Sequence, residues 1–90
     1  MQVKWTKRAS QNLAAILAYI AQDNPPAARK FLLDTLQKVA NLETFPMLGR
    51  PGLVALTREL VIHENYIVFY RVRGDLVEIL RVLHVRRKYP

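Results

Sequence analysis

The chain has 90 residues, 51% of them hydrophobic and 23% charged, with no cysteine and 14 Lys+Arg against 7 Asp+Glu, a net charge of +7. This size admits one domain (residues 1–90) with a single core, and the composition is globular rather than disordered. Disulfides and thiolate metal sites are excluded, no apolar run approaches the ~20 residues that cross a bilayer, and the basic balance favours an anionic partner.

The N-terminus lacks an apolar stretch ahead of a cleavage site, so no secretory leader is expected and a cytoplasmic location follows by default. Met1 to Trp5 alternates, with Val3 and Trp5 on one side and Gln2 and Lys4 on the other, which predicts a short strand with one buried face. Thr6 then suits a helix N-cap, and Ala9, Leu13, Ile16, Leu17 and Ile20 recur at helical spacing. The helix must stop before Asp23-Asn24-Pro25-Pro26, where Asn24 caps a second helix that begins on proline. Its predicted buried stripe is Ala28, Phe31, Leu32, Thr35, Leu36, Val39 and Leu42, and Phe45-Pro46 is its expected end. The short connection makes the two helices an antiparallel hairpin.

Gly49-Arg50-Pro51-Gly52 is a turn cluster; it lacks the strand–loop–helix setting and the Lys-Ser/Thr pair of a phosphate loop. Three strands follow, in Thr57–Ile62, Tyr66–Arg73 and Leu76–His84, the last two joined at Gly74-Asp75, a type II′ hairpin signal. Alternation places Tyr66, Val68, Tyr70 and Val72 on one face of the middle strand. In the last strand it places Val77, Ile79, Arg81 and Leu83 together, with Glu78, Leu80, Val82 and His84 opposite. The expected fold is α+β, of order β-α-α-β-β-β: a helical hairpin packed on an antiparallel-rich sheet. Trp5, Phe31, Phe45, Phe69 and the tyrosines are expected in the core, with Tyr66 and Tyr70 available for stacking if one sheet face is open.

The Trp-Thr-x-x-Ala start, Asn-Pro-x-Ala-Ala at the helix junction and Phe-Pro-x-x-Gly-Arg-Pro-Gly carry a resemblance, together with Arg-Glu-Leu, Tyr-Ile-Val-x-Tyr-Arg-Val and Ile-Leu-Arg-Val-Leu-His. In this order, over essentially the whole chain, they resemble the RelE/ParE superfamily of toxins from type II toxin–antitoxin systems, the ParE-like branch more closely. That resemblance implies a toxin that binds DNA gyrase and corrupts its cleavage–religation cycle, neutralised by an acidic, partly disordered antitoxin, with no cofactor. The ribosome-dependent nucleases of the superfamily keep an arginine at the place that looks like Ile67. An aliphatic side chain neither steadies a phosphorane nor moves a proton. The reading therefore leans from enzyme towards binding module. The alternatives are a RelE-like mRNA endonuclease, with the ribosome and mRNA as partners, and a non-toxic interaction domain of the same fold.

Candidate residues for contact with the target or a nucleic acid are Arg58, Arg71, Arg81, Arg86, Arg87 and Tyr89. Arg81 has an equal claim to a structural pairing with Glu78, Glu59 or backbone carbonyls at the sheet edge. If there is catalysis, Arg81 and His84 are the groups to carry it, although His84 suits a structural hydrogen bond better. With only His63 and His84 present, no metal-ligand spacing appears.

Overall fold

A computed structural model describes residues 1–85. Strand β1 (Gln2–Trp5) leads into helix α1 (Lys7–Asp23) and helix α2 (Pro25–Ala40), a 3-10 turn (Asn41–Glu43) and a two-residue strand β2 (Arg50–Pro51). Strands β3 (Arg58–His63), β4 (Tyr66–Arg73) and β5 (Leu76–His84) follow. The five strands form one mixed sheet of order β1-β5-β4-β3-β2, in which only β1 runs parallel to its neighbour, with Gln2 beside Leu76 and Trp5 beside Ile79. The expected order of elements holds, with β2 and the 3-10 turn added.

The caps explain why the helices begin and end as they do. Thr6 Oγ1 accepts from the Ala9 N–H at 3.1 Å. Asn24 serves both helices: its N–H donates to the Ile20 carbonyl at 3.0 Å, and its Oδ1 accepts from the Ala27 N–H at 3.1 Å, satisfying groups that helix ends leave orphaned. Helix α2 stops at Ala40, short of Phe45-Pro46, because the next residues tighten into the 3-10 turn and bury Leu42. Gly74 has φ +61° while Asp75 does not enter the positive-φ region, the sign pattern of a type II′ turn.

Both helices lie on one face of the sheet. Ala9, Leu13, Phe31, Val39 and Leu42 pack there against Leu60, Ile62, Val68, Tyr70, Val77, Ile79 and Val82. Each buried aliphatic side chain contributes about 1.5–3 kcal/mol. Four aromatic or apolar expectations fail, the first being Phe69, which lies on the sheet face turned away from the helices and outside the core. Leu36 faces out of the α2 stripe, and Phe45 and Tyr19 are exposed, because among the described residues no strand extends under the outer side of the hairpin or beneath the loop after it.

The last strand departs from simple alternation. Phe69 pairs with Arg81 but Tyr70 with Ile79, so Leu80 is an extra residue that shifts the pleat by one. Val77, Ile79 and Val82 therefore share the core face, and Arg81 and Leu83 turn away from it, which corrects the predicted grouping of Val82 opposite Ile79. Beyond the end of β1, helix α1 supplies partners to this strand. Thr6 Oγ1 donates to the Leu80 carbonyl at 3.3 Å, and Asn12 Oδ1 accepts from the Val82 N–H at 3.1 Å.

Candidate functional site

Pairing across the sheet fixes which side chains share the face turned away from the helices. Val61, Ile67 and Leu83 form one row, Glu59, Phe69 and Arg81 the next, and Arg71 with Glu78 a third. The surface is thus apolar at one end and charged at the other.

Its carboxylates are already engaged. Glu78 accepts from Arg71 Nε at 2.7 Å and from an Arg73 Nη at 3.0 Å, and Glu59 accepts from Arg50 Nε at 3.0 Å. The hydrogen bond from Arg71, and then the positive charges of Arg71, Arg73 and Lys4, hold the Glu78 carboxyl below its usual range against a smaller opposing effect of burial. Both acids proposed as structural partners of Arg81 are taken by other arginines. Arg81 is exposed and has no carboxylate partner among the described residues, because the bulge at Leu80 aims it outward. Arg71 is a paired cation; Arg81 is an available one.

Arg58 belongs elsewhere. It pairs with Tyr70, on the helix side of the sheet, and donates to the Gly49 carbonyl at 2.7 Å. The predicted contact residues are therefore not one patch: Arg71 and Arg81 share a face, and Arg58 sits at a corner of the other. Arg86, Arg87 and Tyr89 lie outside the described residues.

A second feature, which the sequence reading did not assemble, lies at the Tyr66 end of β4 on the helix side. The Tyr66 ring meets His84 at 4.9 Å between centroids, Phe31 at 4.9 Å and His63 at 6.4 Å. Tyr66 also joins two adjoining recesses. One, of about 320 Å³, is lined by Ile20, Phe31, Lys30 and His63; the other, of about 360 Å³, by Ile16, Tyr19 and His84. Burial, and then Tyr19, push the Tyr66 hydroxyl above its ordinary value. The His84 ring packs against Tyr66 at a tilt of 55°, and the expected hydrogen bond of its side chain is not found among the described residues. The cue available in the sequence was the two-residue Glu64-Asn65 connection, which sets His63 opposite Tyr66.

Comparison with known proteins decides what this assembly is. Residues 3–89 match the family model of the ParE toxin of type II toxin–antitoxin system, parDE. The chain belongs to the ParE toxin family. It is 41% identical over 90 residues to the candidate toxin Y4kP of Sinorhizobium fredii, covering 99% of this chain and 93% of that protein. It is 40% identical over 86 residues to Toxin RelE2 of Caulobacter vibrioides, covering 96% and 97%. Among solved structures, a chain of the chromosomal ParDE TA system from P. aeruginosa superposes with a TM-score of 0.85 at 30% identity, covering 96% of this chain and 97% of that one. This ParE-family chain is thus a toxin of a type II toxin–antitoxin system, and its family implies an antitoxin partner. Among the described residues no helix is long and apolar enough to cross a membrane.

Proposed function

We propose that this toxin acts in the cytoplasm by binding DNA gyrase and trapping its cleavage–religation cycle, without chemistry of its own. The observation that carries the reading is the row Val61–Ile67–Leu83. Ile67, only 8% exposed, is flanked on both neighbouring strands by aliphatic side chains. Where the superfamily's nucleases keep an arginine, this chain has a buried isoleucine with nothing to offer a phosphate, and Val61, 50% exposed beside it, supplies apolar surface suited to protein contact. The exposed Arg81 beside that row gives an anionic partner its point of attachment.

The antitoxin that silences the toxin is an acidic, partly disordered chain that orders as it binds. Its carboxylates meet the net charge of +7, and its apolar side chains fill the recesses around Tyr66. Gyrase supercoiling and mRNA cleavage on programmed ribosomes, run side by side with purified toxin, test this reading. Loss of supercoiling with intact mRNA is the expected result. Cleavage at the A-site codon, abolished by Arg81→Ala, would instead establish an endonuclease.

A further inference from the structure

The segment from Phe45 to Leu56 carries the most concentrated exposed apolar surface among the described residues. Phe45, Met47, Leu48, Leu53, Val54 and Leu56 all face solvent. Leu53 is 101% exposed, so it stands at the tip of a protrusion, and Leu56 is 89% exposed.

This loop is nevertheless well braced. The Gly52 N–H donates to the Thr57 carbonyl at 2.8 Å, the Thr57 N–H to the Val54 carbonyl at 3.1 Å, and Thr57 Oγ1 to the same carbonyl at 2.6 Å. At its foot the Gly49 N–H donates to the Tyr70 hydroxyl, which donates to the Pro46 carbonyl, both at 2.8 Å. Leu56 sits at φ +67°, a left-handed conformation that disfavours any residue with a Cβ and that glycine would adopt freely. Backbone strain and an ordered turn are thus both used to hold leucines out in water, an arrangement that packing within the chain does not account for.

We propose that the Gly52–Thr57 loop is a pre-formed knob that inserts into an apolar cleft, rimmed by carboxylates, on the folded protein this toxin attacks. The proposal rests on the reading of the chain as a toxin. Shape selects the class of partner. A flexible peptide needs a concave seat, and the recesses around Tyr66 offer one, whereas a fully exposed leucine at a convex tip is buried only by a partner that is itself concave.

Charge selects the rim. The stretch from Phe45 to Arg58 holds two arginines and no acid. Glu59 neutralises Arg50, but Arg58 has no carboxylate partner among the described residues. Arg58 lies beside Met47, Leu56 and Val72 around a recess of about 270 Å³ at the base of the knob. One of its five N–H donors goes to Gly49, leaving others for a carboxylate on the partner. A lipid surface is the poorer occupant, because the stretch has no Lys, Trp or Tyr to anchor it at a headgroup boundary.

The test uses full-length toxin with Leu53→Ser and Leu56→Gly combined, and Leu56→Gly alone, expressed from an inducible promoter with and without the antitoxin encoded by the neighbouring reading frame. The double variant is expected to lose growth arrest, with survival after induction rising by ~10-fold or more, the scale of a lost hot spot. It should still be captured by the antitoxin, and Leu56→Gly should hold or raise the thermal midpoint, showing that the fold is intact. Undiminished arrest would overturn the proposal, as would joint loss of arrest and antitoxin capture. So would co-sedimentation of wild-type toxin, but not the double variant, with phosphatidylglycerol–phosphatidylcholine vesicles. A wild-type chain that leaves growth untouched would sink the toxin reading itself, and the knob with it.

Discussion

Tyr66 and Tyr70 stand four residues apart on the same face of β4, yet their surroundings differ in kind. Tyr70 is 0% exposed and its hydroxyl is locked between the Gly49 N–H and the Pro46 carbonyl, tying the loop after α2 to the middle of the sheet. Tyr66 is half-buried among Phe31, His63 and His84 at the mouth of a cleft. Burial pushes both hydroxyls upward; at Tyr70 the Gly49 hydrogen bond and the Arg58 charge pull the other way. One tyrosine is a latch within the chain, and the other is part of a surface still able to receive something. Identical residues at identical spacing acquire separate roles from what the rest of the fold brings against them.

The comparison is sharpest where the latch is broken. Gly49→Ala would set a Cβ 2.7 Å from the Glu59 carbonyl oxygen and 2.8 Å from the Tyr70 ring. Crowding against backbone should cost about 1–3 kcal/mol in denaturant unfolding. Tyr70→Phe strands the Gly49 N–H and the Pro46 carbonyl and should cost about 1–2 kcal/mol. The same change at Tyr66 should cost less than about 0.5 kcal/mol, since no hydrogen bond of its hydroxyl is found among the described residues. Equal losses at the two positions would dissolve the distinction.

The pH dependence follows the same division. A tyrosine whose folded pKa is raised stabilises the fold fully below its unfolded value near 10, and that contribution is lost as pH rises through the folded value. Tyr70→Phe should therefore flatten part of the alkaline fall in stability. Glu78 has the opposite sign. Its lowered carboxyl pKa stabilises the fold above the unfolded value near 4.5, and the contribution fades as pH drops through the folded one. Glu78→Gln should soften the acid limb of a thermal-midpoint profile, the smallest of these effects because its arginine partners are solvated.

The parts of the fold legible in the sequence were those governed by near neighbours. Thr6, the Asn24-Pro25 junction and the Gly74-Asp75 turn each set local geometry through groups a few residues away. The role of Arg81 was not legible, because it depends on one extra residue in a ladder between two strands. Alternation alone put Arg81 with Ile79; the bulge at Leu80 reverses it and sets Arg81 beside Phe69, with no carboxylate partner among the described residues. The exposure of Phe45 and Leu36 was equally hidden, since an aromatic after a helix or a leucine in its stripe reads as core whether or not anything lies beneath it. Leu56 gave no signal at all: a leucine in the left-handed region is not announced by its neighbours.

The pairing of β1 with β5 has a consequence for how the chain is made. Gln2 lies beside Leu76, so β1 waits for a strand made more than seventy residues later, and β5 must settle between β1 and β4 before the two are joined. Such distant closure delays folding relative to contacts made along a helix. Without Leu76–His84 the chain keeps β3 and β4, but β1 has no partner and the core loses Val77, Ile79 and Val82. The folded toxin therefore exists only once β5 has been made, and a nonsense or frameshift change ahead of Leu76 disarms it.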